Sequence, residues 1–333
     1  MGNPSEYLIP KVSPSHVEYT TITGFFLQDD PATDDRNFDY VISNLGLINQ
    51  TYPTDPEYDP DLSKSSWQRF AYYLRYLNVQ SPPTTTYRLL YLARHGEGFH
   101  NVAERHYGTK AWDCYWSKLS GNGNITWADA HLTADGIAQA KVAHDFWRAS
   151  IVGRGIPVPQ SYYVSPLDRC LATGKVTFTG LEHVLPGEYP FVPVVKELLR
   201  EALGVHTCDR RSSRDYIVKN YPGYVIEKGF AEVDPLWDPD VRESDAQMDV
   251  RLKTLLDDIV TNDGNTFISL TSHSGAISAM LHVLGHRPFG LQTGGVIPVL
   301  VKVDTVEGQA PSTSVSPGVP APTCEMSAKD TIM

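Results

Sequence analysis

Short apolar runs bounded by turn residues alternate with amphipathic stretches through most of the chain. "YRLLYLA" (Tyr87–Ala93), "SYYVS" (Ser161–Ser165), "TFISLTS" (Thr266–Ser272) and "VIPVLVKVD" (Val296–Asp304) are five to nine residues long, the lengths expected of strands buried on both faces. "FVPVVKELLRE" (Phe191–Glu201) begins in the same way and ends polar. Between these runs the apolar residues recur at helical spacing. Trp67, Phe70, Leu74 and Leu77 follow Ser66. Ile137, Ala140, Phe146 and Trp147 follow Thr133, an N-cap residue type. Met248, Leu252, Leu255, Leu256 and Ile259 follow Ser244, which forms a Ser-x-x-Gln capping box with Gln247. "PLDRCLATGKVTF" reads as a loop entering a helix, and "HSG" turns into the helix "AISAMLHVLG". The alternation predicts an α/β core over residues 86–304.

The flanks differ. Residues 1–85 read as an extension packing on the core, irregular up to residue 64 apart from one short strand around "TTITGFFLQ" and closed by the helix after Ser66. Residues 305–333 are rich in Pro, Ser and Thr, a composition that predicts a disordered tail. With 333 residues, 41% of them hydrophobic, the chain can bury a large core. A net charge of -11 argues against nucleic acid or an anionic membrane as partner. It leaves a small molecule, and an anionic one would need a local positive pocket. Four cysteines without close pairing fit a reducing compartment. With neither a leader-like start nor an apolar run near the ~18 residues of a membrane span, the expected setting is cytoplasmic.

Polar clusters follow four of the predicted strands: Arg94-His95, Ser165…Arg169, Glu197…Glu201 and His273. Ligands of open α/β sheets bind beyond the carboxyl ends of the strands, so the topology would deliver two Arg, two His and a Glu to one edge. Guanidinium forks match phosphate oxygens, and a neutral imidazole can attack phosphorus. A second imidazole could steady the equatorial oxygens, and a carboxylic acid could protonate a departing alkoxide. Such a set could do without Mg²⁺, because phosphoryl transfer is mostly positioning and electrostatics.

The motifs resemble one family. "RHGEGFHN" resembles the Arg-His-Gly signature of the histidine phosphatase superfamily, the phosphoglycerate mutase-like proteins, including the Asn six residues after the His. "LTADG" is similar to its Leu-Thr-x-x-Gly helix start, "VSPLDRCLAT" to the segment supplying the second arginine, and "TSHSG" to that carrying the second histidine. "LLREALGVHTCDRR" resembles a fungal phosphomutase-like branch in which the Glu before x-x-Gly is the proton donor. The resemblance implies a three-layer sandwich with a mostly parallel central sheet flanked by helices. It also implies roles: His95 as phosphorylated nucleophile, Arg94, Arg169 and Asn101 on the phosphate, His273 completing the pocket and Glu201 as general acid. Ser274 stands where the family commonly has Gly, and its hydroxyl is a candidate substrate contact.

Remaining features are weighed against plainer readings. Glu197 is an alternative carboxylate, but Glu201 matches the family position. His100 and His106 lack a carboxylate or Cys at ligand spacing, so no metal site is expected; no cofactor is expected either. "HTCDRRSSRD" offers His206 and Arg210 to substrate anions, although Asp209 and Asp215 could pair with its arginines. Tyr107, Trp112, Tyr115, Trp116 and Trp127 read as buried core rather than pocket wall. The resulting expectation is a metal-independent phosphatase acting on a small phosphate ester through phospho-His95. A phosphomutase and a site repurposed for phosphate binding or specialised-metabolite chemistry are the alternatives.

Overall fold

The computed structural model describes residues 14–184, 189–312 and 315–324. Its strands are β1 Ser15–Thr21, β2 Thr85–Arg94, β3 Ser161–Val164, β4 Val194–Val195, β5 Val225–Ile226, β6 Val241–Arg242, β7 Phe267–Ser272, β8 Val296–Glu307 and β9 Val319–Pro320. Its helices are α1 Asp55–Tyr58, α2 Ser66–Gln80, α3 Phe99–Tyr107, α4 Thr109–Cys114, α5 Ala134–Arg154, α6 Asp168–Phe178, α7 Arg214–Asn220, α8 Asp245–Asn262 and α9 Ser274–Val283. Seven strands form one sheet in the order β1-β8-β2-β7-β3-β4-β5. β2, β7, β3, β4 and β5 run parallel, while β8 lies antiparallel to both β2 and β1.

The two-residue side-chain period of a strand splits the core in two. On one face Leu89, Tyr91 and Phe267 pack with Trp67, Phe70 and Leu74 of α2, Phe146 and Trp147 of α5, and Phe178 of α6. On the other, Leu90, Leu92, Ile268 and Leu270 pack with Leu252, Leu255 and Ile259 of α8 and Ile277 and Met280 of α9. Helices therefore cover both sides of a mostly parallel sheet, the expected three-layer sandwich. Every parallel strand points its carboxyl end to the same edge, where the polar clusters emerge.

The caps follow the sequence with small shifts. Thr133 caps α5 by accepting from the Gly136 N–H, and Ser244 forms its box with Gln247. The cap of α2 is Ser65, one residue earlier than expected. Ile137 is 39% exposed, so the buried side of α5 is carried by Ala140, Ala143, Phe146 and Trp147 instead. The N-terminal strand begins at Ser15 rather than in "TTITGFFLQ": seven residues pair with the edge of β8, and Phe25 and Phe26 then turn into an aromatic cluster with Phe70.

Two expectations need correction. Residues 305–312 and 315–324 of the tail are ordered. β8 extends to Glu307, β9 pairs with β6, the Ala321 N–H donates to Asp240 O, and Lys118 Nζ donates to Pro322 O. The reason is partly covalent: Cys114 and Cys324 form a disulfide across 210 residues, with Cα atoms 5.7 Å apart. The reducing-compartment reading of four sparse cysteines is at odds with this pair, whereas Cys170 and Cys208 are free and buried. Among the described residues no helix is long and apolar enough to cross a membrane.

Candidate active site

The loop leaving β2 is held from three sides. The His95 N–H donates to Ser272 O of β7 (3.0 Å), and His95 O accepts from the Gly294 N–H (2.9 Å). The Gly96 N–H donates to Thr173 Oγ1 (3.0 Å), which donates in turn to Arg169 O (2.7 Å). The third support is the start of α5. A Cβ on Gly96 would lie 2.3 Å from Gly136 O, and one on Gly136 would lie 2.1 Å from Glu97 O, so both positions need glycine for this approach. Thr133 then bonds Glu97 through its N–H (2.9 Å to Glu97 O) and its hydroxyl (2.9 Å to Oε1). "LTADG" and the Thr of "DRCLAT" are thus braces for the His95 loop. Glu97 is one as well, bound on its other oxygen by Arg105 (2.6 Å).

His95 is buried. Its Nδ1 lies 2.7 Å from Gly96 O. A carbonyl can only accept, so Nδ1 carries the hydrogen and Nε2 keeps its lone pair. Burial, followed by the charges of Arg169 and Arg94, holds the imidazole well below its ordinary range and hence neutral. Arg169 is anchored by Nη1 to Cys208 O (2.6 Å) and by Nη2 to Asp209 Oδ1 (2.9 Å), while its buried Nε has no partner among the described residues. Arg94 is tied by Nη1 to Leu291 O (2.7 Å), and its buried Nε is likewise unpartnered. Each guanidinium thus retains donors for a ligand.

His273 is the N-cap residue of α9 and fully buried. Its ring centroid is 5.1 Å from that of His95. Ser165 Oγ lies 2.8 Å from Nε2, and Cys170 Sγ lies 3.4 Å from Nε2 and 3.8 Å from Nδ1. Burial, then Arg169, His95 and His100, push its pKa well down. Glu201 lies against the same helix start: Oε2 accepts from the Gly275 N–H (3.0 Å) and Oε1 from the Ala202 N–H (3.0 Å). Glu197 is committed elsewhere, to Arg200 (3.1 Å) and to Arg211 (2.9 Å). Geometry therefore separates the two carboxylates.

The other expected residues divide. Asn101 Oδ1 accepts from the Gly98 N–H (2.9 Å), which caps α3 and leaves only its NH₂ for a phosphate. Ser274 is the half-buried first residue of α9. His206 lies 3.7 Å from Asp113 Oδ1 and edge-on to Trp112, its pKa pushed down to about 4 by burial and then by Arg242. Arg210 is not brought in: it is exposed and lies over the Trp237 ring. Trp112 and Trp127 are buried, and Tyr107 stacks on Trp116 at 3.9 Å, so this cluster is largely core under α3 and α4.

Several contacts of the site escaped the sequence reading. Asp209 is buried and bridges Arg169 (2.9 Å) to Arg242 (2.8 Å). Burial works to raise its carboxyl, but Arg242 and Arg169 override it and hold it at about 2. Ser165 was quoted in a matching motif, yet its bond to His273 depends on two strands meeting. His100 was left without a role, although its ring lies 5.4 Å from that of His95. His206, Cys208 and Asp209 place possible ligand atoms within 4.8 Å of one another. They fit a cation poorly, since two guanidiniums hold Asp209 and burial pushes the Cys208 thiol well up.

A buried neutral imidazole with two anchored guanidiniums among its neighbours, at the carboxyl edge of a mostly parallel sheet flanked by helices, is the arrangement of a phosphoglycerate mutase-like α/β fold. The chain belongs to the histidine phosphatase superfamily. A profile of that superfamily (branch 1) matches residues 117–293, a span that holds Arg169, Glu201 and His273. The chain is 60% identical over 289 residues to a probable phosphoglycerate mutase of Arthroderma benhamiae, covering 87% of this chain and 85% of that one. It is 33% identical over 300 residues to phosphomutase-like protein 3 of Candida albicans, covering 88% and 83%. Among solved structures it is similar to the ecdysone phosphate phosphatase of Bombix mori in complex with tungstate, at 16% identity and a TM-score of 0.40 over 74% of this chain and all of that one.

Proposed function

We propose that the protein is a metal-independent phosphatase that hydrolyses a small phosphate ester through a phosphohistidine on His95. The observation that carries this reading is the free, neutral Nε2 of His95 beside Arg94, Arg169 and His273. Its lone pair attacks phosphorus while the ester P–O bond breaks, and protonated Glu201 gives its proton to the departing alkoxide. Nδ1–H stays on Gly96 O throughout, so the phosphorylated ring carries one positive charge facing that carbonyl. Water then attacks phosphorus, Glu201 takes its proton, and the P–N bond breaks to restore the neutral ring. The guanidiniums and His273 supply the charge stabilisation that a metal supplies in other phosphoryl-transfer sites. Acid-quenched turnover of a ³²P-labelled ester should leave acid-labile label on His95. Full turnover without label would overturn the mechanism.

A phosphomutase is the second reading, favoured by the names of the two sequence relatives. The two activities share the phosphoenzyme and differ in what accepts the phosphoryl group. Assaying released orthophosphate against isomerised ester separates them; an isomerised product without orthophosphate would replace the first reading. A site that binds vanadate at His95 but releases no phosphate from any ester of a broad panel would mark the repurposed alternative.

The cytoplasmic setting expected from sequence stands against the Cys114–Cys324 disulfide, because cytosolic thiol pools keep such pairs reduced. Cell fractionation of the tagged protein decides the compartment.

A further inference from the structure

A third imidazole stands at the nucleophile, and the phosphatase reading does not use it. His100 is the second residue of α3, and its ring centroid lies 5.4 Å from that of His95, against 5.1 Å for His273. The two rings lie at nearly equal distances from that of His95. Asn101 is next in the chain, and its side chain caps the helix on Gly98. The first turn of α3 is thereby fixed beside His95, and His100 is fixed with it.

The two nitrogens of His100 are not equivalent. Nδ1 is buried with no hydrogen-bond partner among the described residues. It is pressed against Gly98, where a Cβ would lie 2.7 Å from Nδ1 and 2.8 Å from Cε1. A buried donor without an acceptor is the costlier orphan, so the hydrogen belongs on Nε2 and the bare lone pair of Nδ1 faces the glycine. Burial, then the charges of Arg169, His95 and Arg94, keep the ring neutral. Nε2–H is then an uncharged donor on the ring's other side. A side chain serving only to fill space would not need a polar atom left unsatisfied, at roughly 1–3 kcal/mol for such a group.

We propose that His100 Nε2–H donates to an oxygen of the phosphoryl group being transferred, as a donor additional to His273. The proposal rests on the phosphohistidine reading and extends its donor set beyond Arg94, Arg169, Asn101 and His273. It also gives Gly98 a role: a side chain there would collide with the His100 ring and turn Nε2 away.

The test uses His100→Leu, which removes the donor at similar volume, and His100→Gln, which restores an N–H. Orthovanadate affinity, by calorimetry, and the single-turnover rate of His95 phosphorylation from p-nitrophenyl phosphate are read for both. H100L should weaken vanadate at least about tenfold and slow phosphorylation about 10²-fold, the scale of losing one preorganised donor. H100Q should recover most of both, with melting temperatures unchanged. Vanadate affinity and phosphorylation rate of H100L equal to wild type would reduce His100 to packing. If H100L fails to fold, H100Q carries the test: near-wild-type values support the donor, and a full loss in natively melting H100Q overturns it. If wild type takes no label on His95, the phosphatase mechanism fails. The vanadate comparison still decides the role of His100.

Discussion

Glu201 and Gly275 meet so closely that a Cβ at position 275 would lie 2.2 Å from Glu201 Oε1, while the Gly275 N–H holds Oε2 at 3.0 Å. The glycine both makes room for the carboxyl group and orients it. Removing the acid and displacing it should therefore look alike. Glu201→Gln and Gly275→Ala are each expected to lower kcat on alkyl phosphates by about 10²–10⁴-fold. The loss on p-nitrophenyl phosphate, whose leaving group scarcely needs a proton, should stay within about tenfold. Steady-state kinetics on the two substrate types check this; equal losses would remove Glu201 from the acid role.

Gly136 offers a test of the brace beneath the nucleophile. Gly136→Ala places a methyl 2.1 Å from Glu97 O, a backbone atom that cannot swing aside. The helix start must move, at an expected 1–3 kcal/mol, roughly the range for overpacking, and the His95 loop must move with it. Urea unfolding should show the loss in stability. Phosphatase activity should fall by about 10²-fold even where the variant remains folded, since misplacement on the ångström scale is costly to catalysis. A destabilised variant with intact activity would mean that the loop holds itself.

Acid should expose the buried imidazoles. His206 is held at about 4 by burial and then by Arg242, against about 6.5 in the unfolded chain. The native state refuses a proton that the unfolded chain accepts. The stability due to this group is therefore fully present above about pH 6.5 and lost progressively as pH falls through about 4. His95, His100 and His273 are shifted in the same direction. Unfolding free energy should therefore drop between pH 7 and pH 5, and His206→Gln should reduce the slope. Chemical denaturation at the two pH values measures both; a flat wild-type profile would contradict the burial of these rings.

The Cys114–Cys324 link can be read directly. Non-reducing peptide mapping should recover the two cysteines joined, with two thiols, Cys170 and Cys208, free after denaturation. Cys324→Ser is expected to destabilise the fold by about 2–4 kcal/mol, the usual range for a native disulfide. It should also open residues 315–324 to proteolysis. Four free thiols in the freshly purified protein would remove this link.

The convergence of Arg94, His95, Arg169, Glu201 and His273 was legible because its signals are local. Each group sits a fixed few residues beyond a strand, and a parallel sheet gathers such positions on one edge without further information. The tail was not legible. Its composition describes a segment that cannot build a core alone, whereas its order depends on a cysteine 210 residues away and on two residues of β6. Arg210 misled for a similar reason: Arg210 and Arg211 share charge and place in sequence, Arg242 comes in from 31 residues beyond, and only packing sorts them. Arg211 went to Glu197, Arg242 to Asp209, and Arg210 to the surface over Trp237. Ile137 shows the limit of periodicity, since the width of the buried stripe on α5 depends on which neighbours cover it.

The antiparallel pairing of β1 with β8 has a consequence for the apparent independence of the α/β core. A chain trimmed to residues 86–304 would keep Arg94, His95, Arg169, Glu201 and His273 yet strip β1 away. It would bare the β8 edge from Val301 to Asp304, half of which is apolar. An unpaired edge of that kind invites another copy to add its own strand. β1 thus acts as a self-supplied edge guard, and its loss bears on solubility before it bears on turnover.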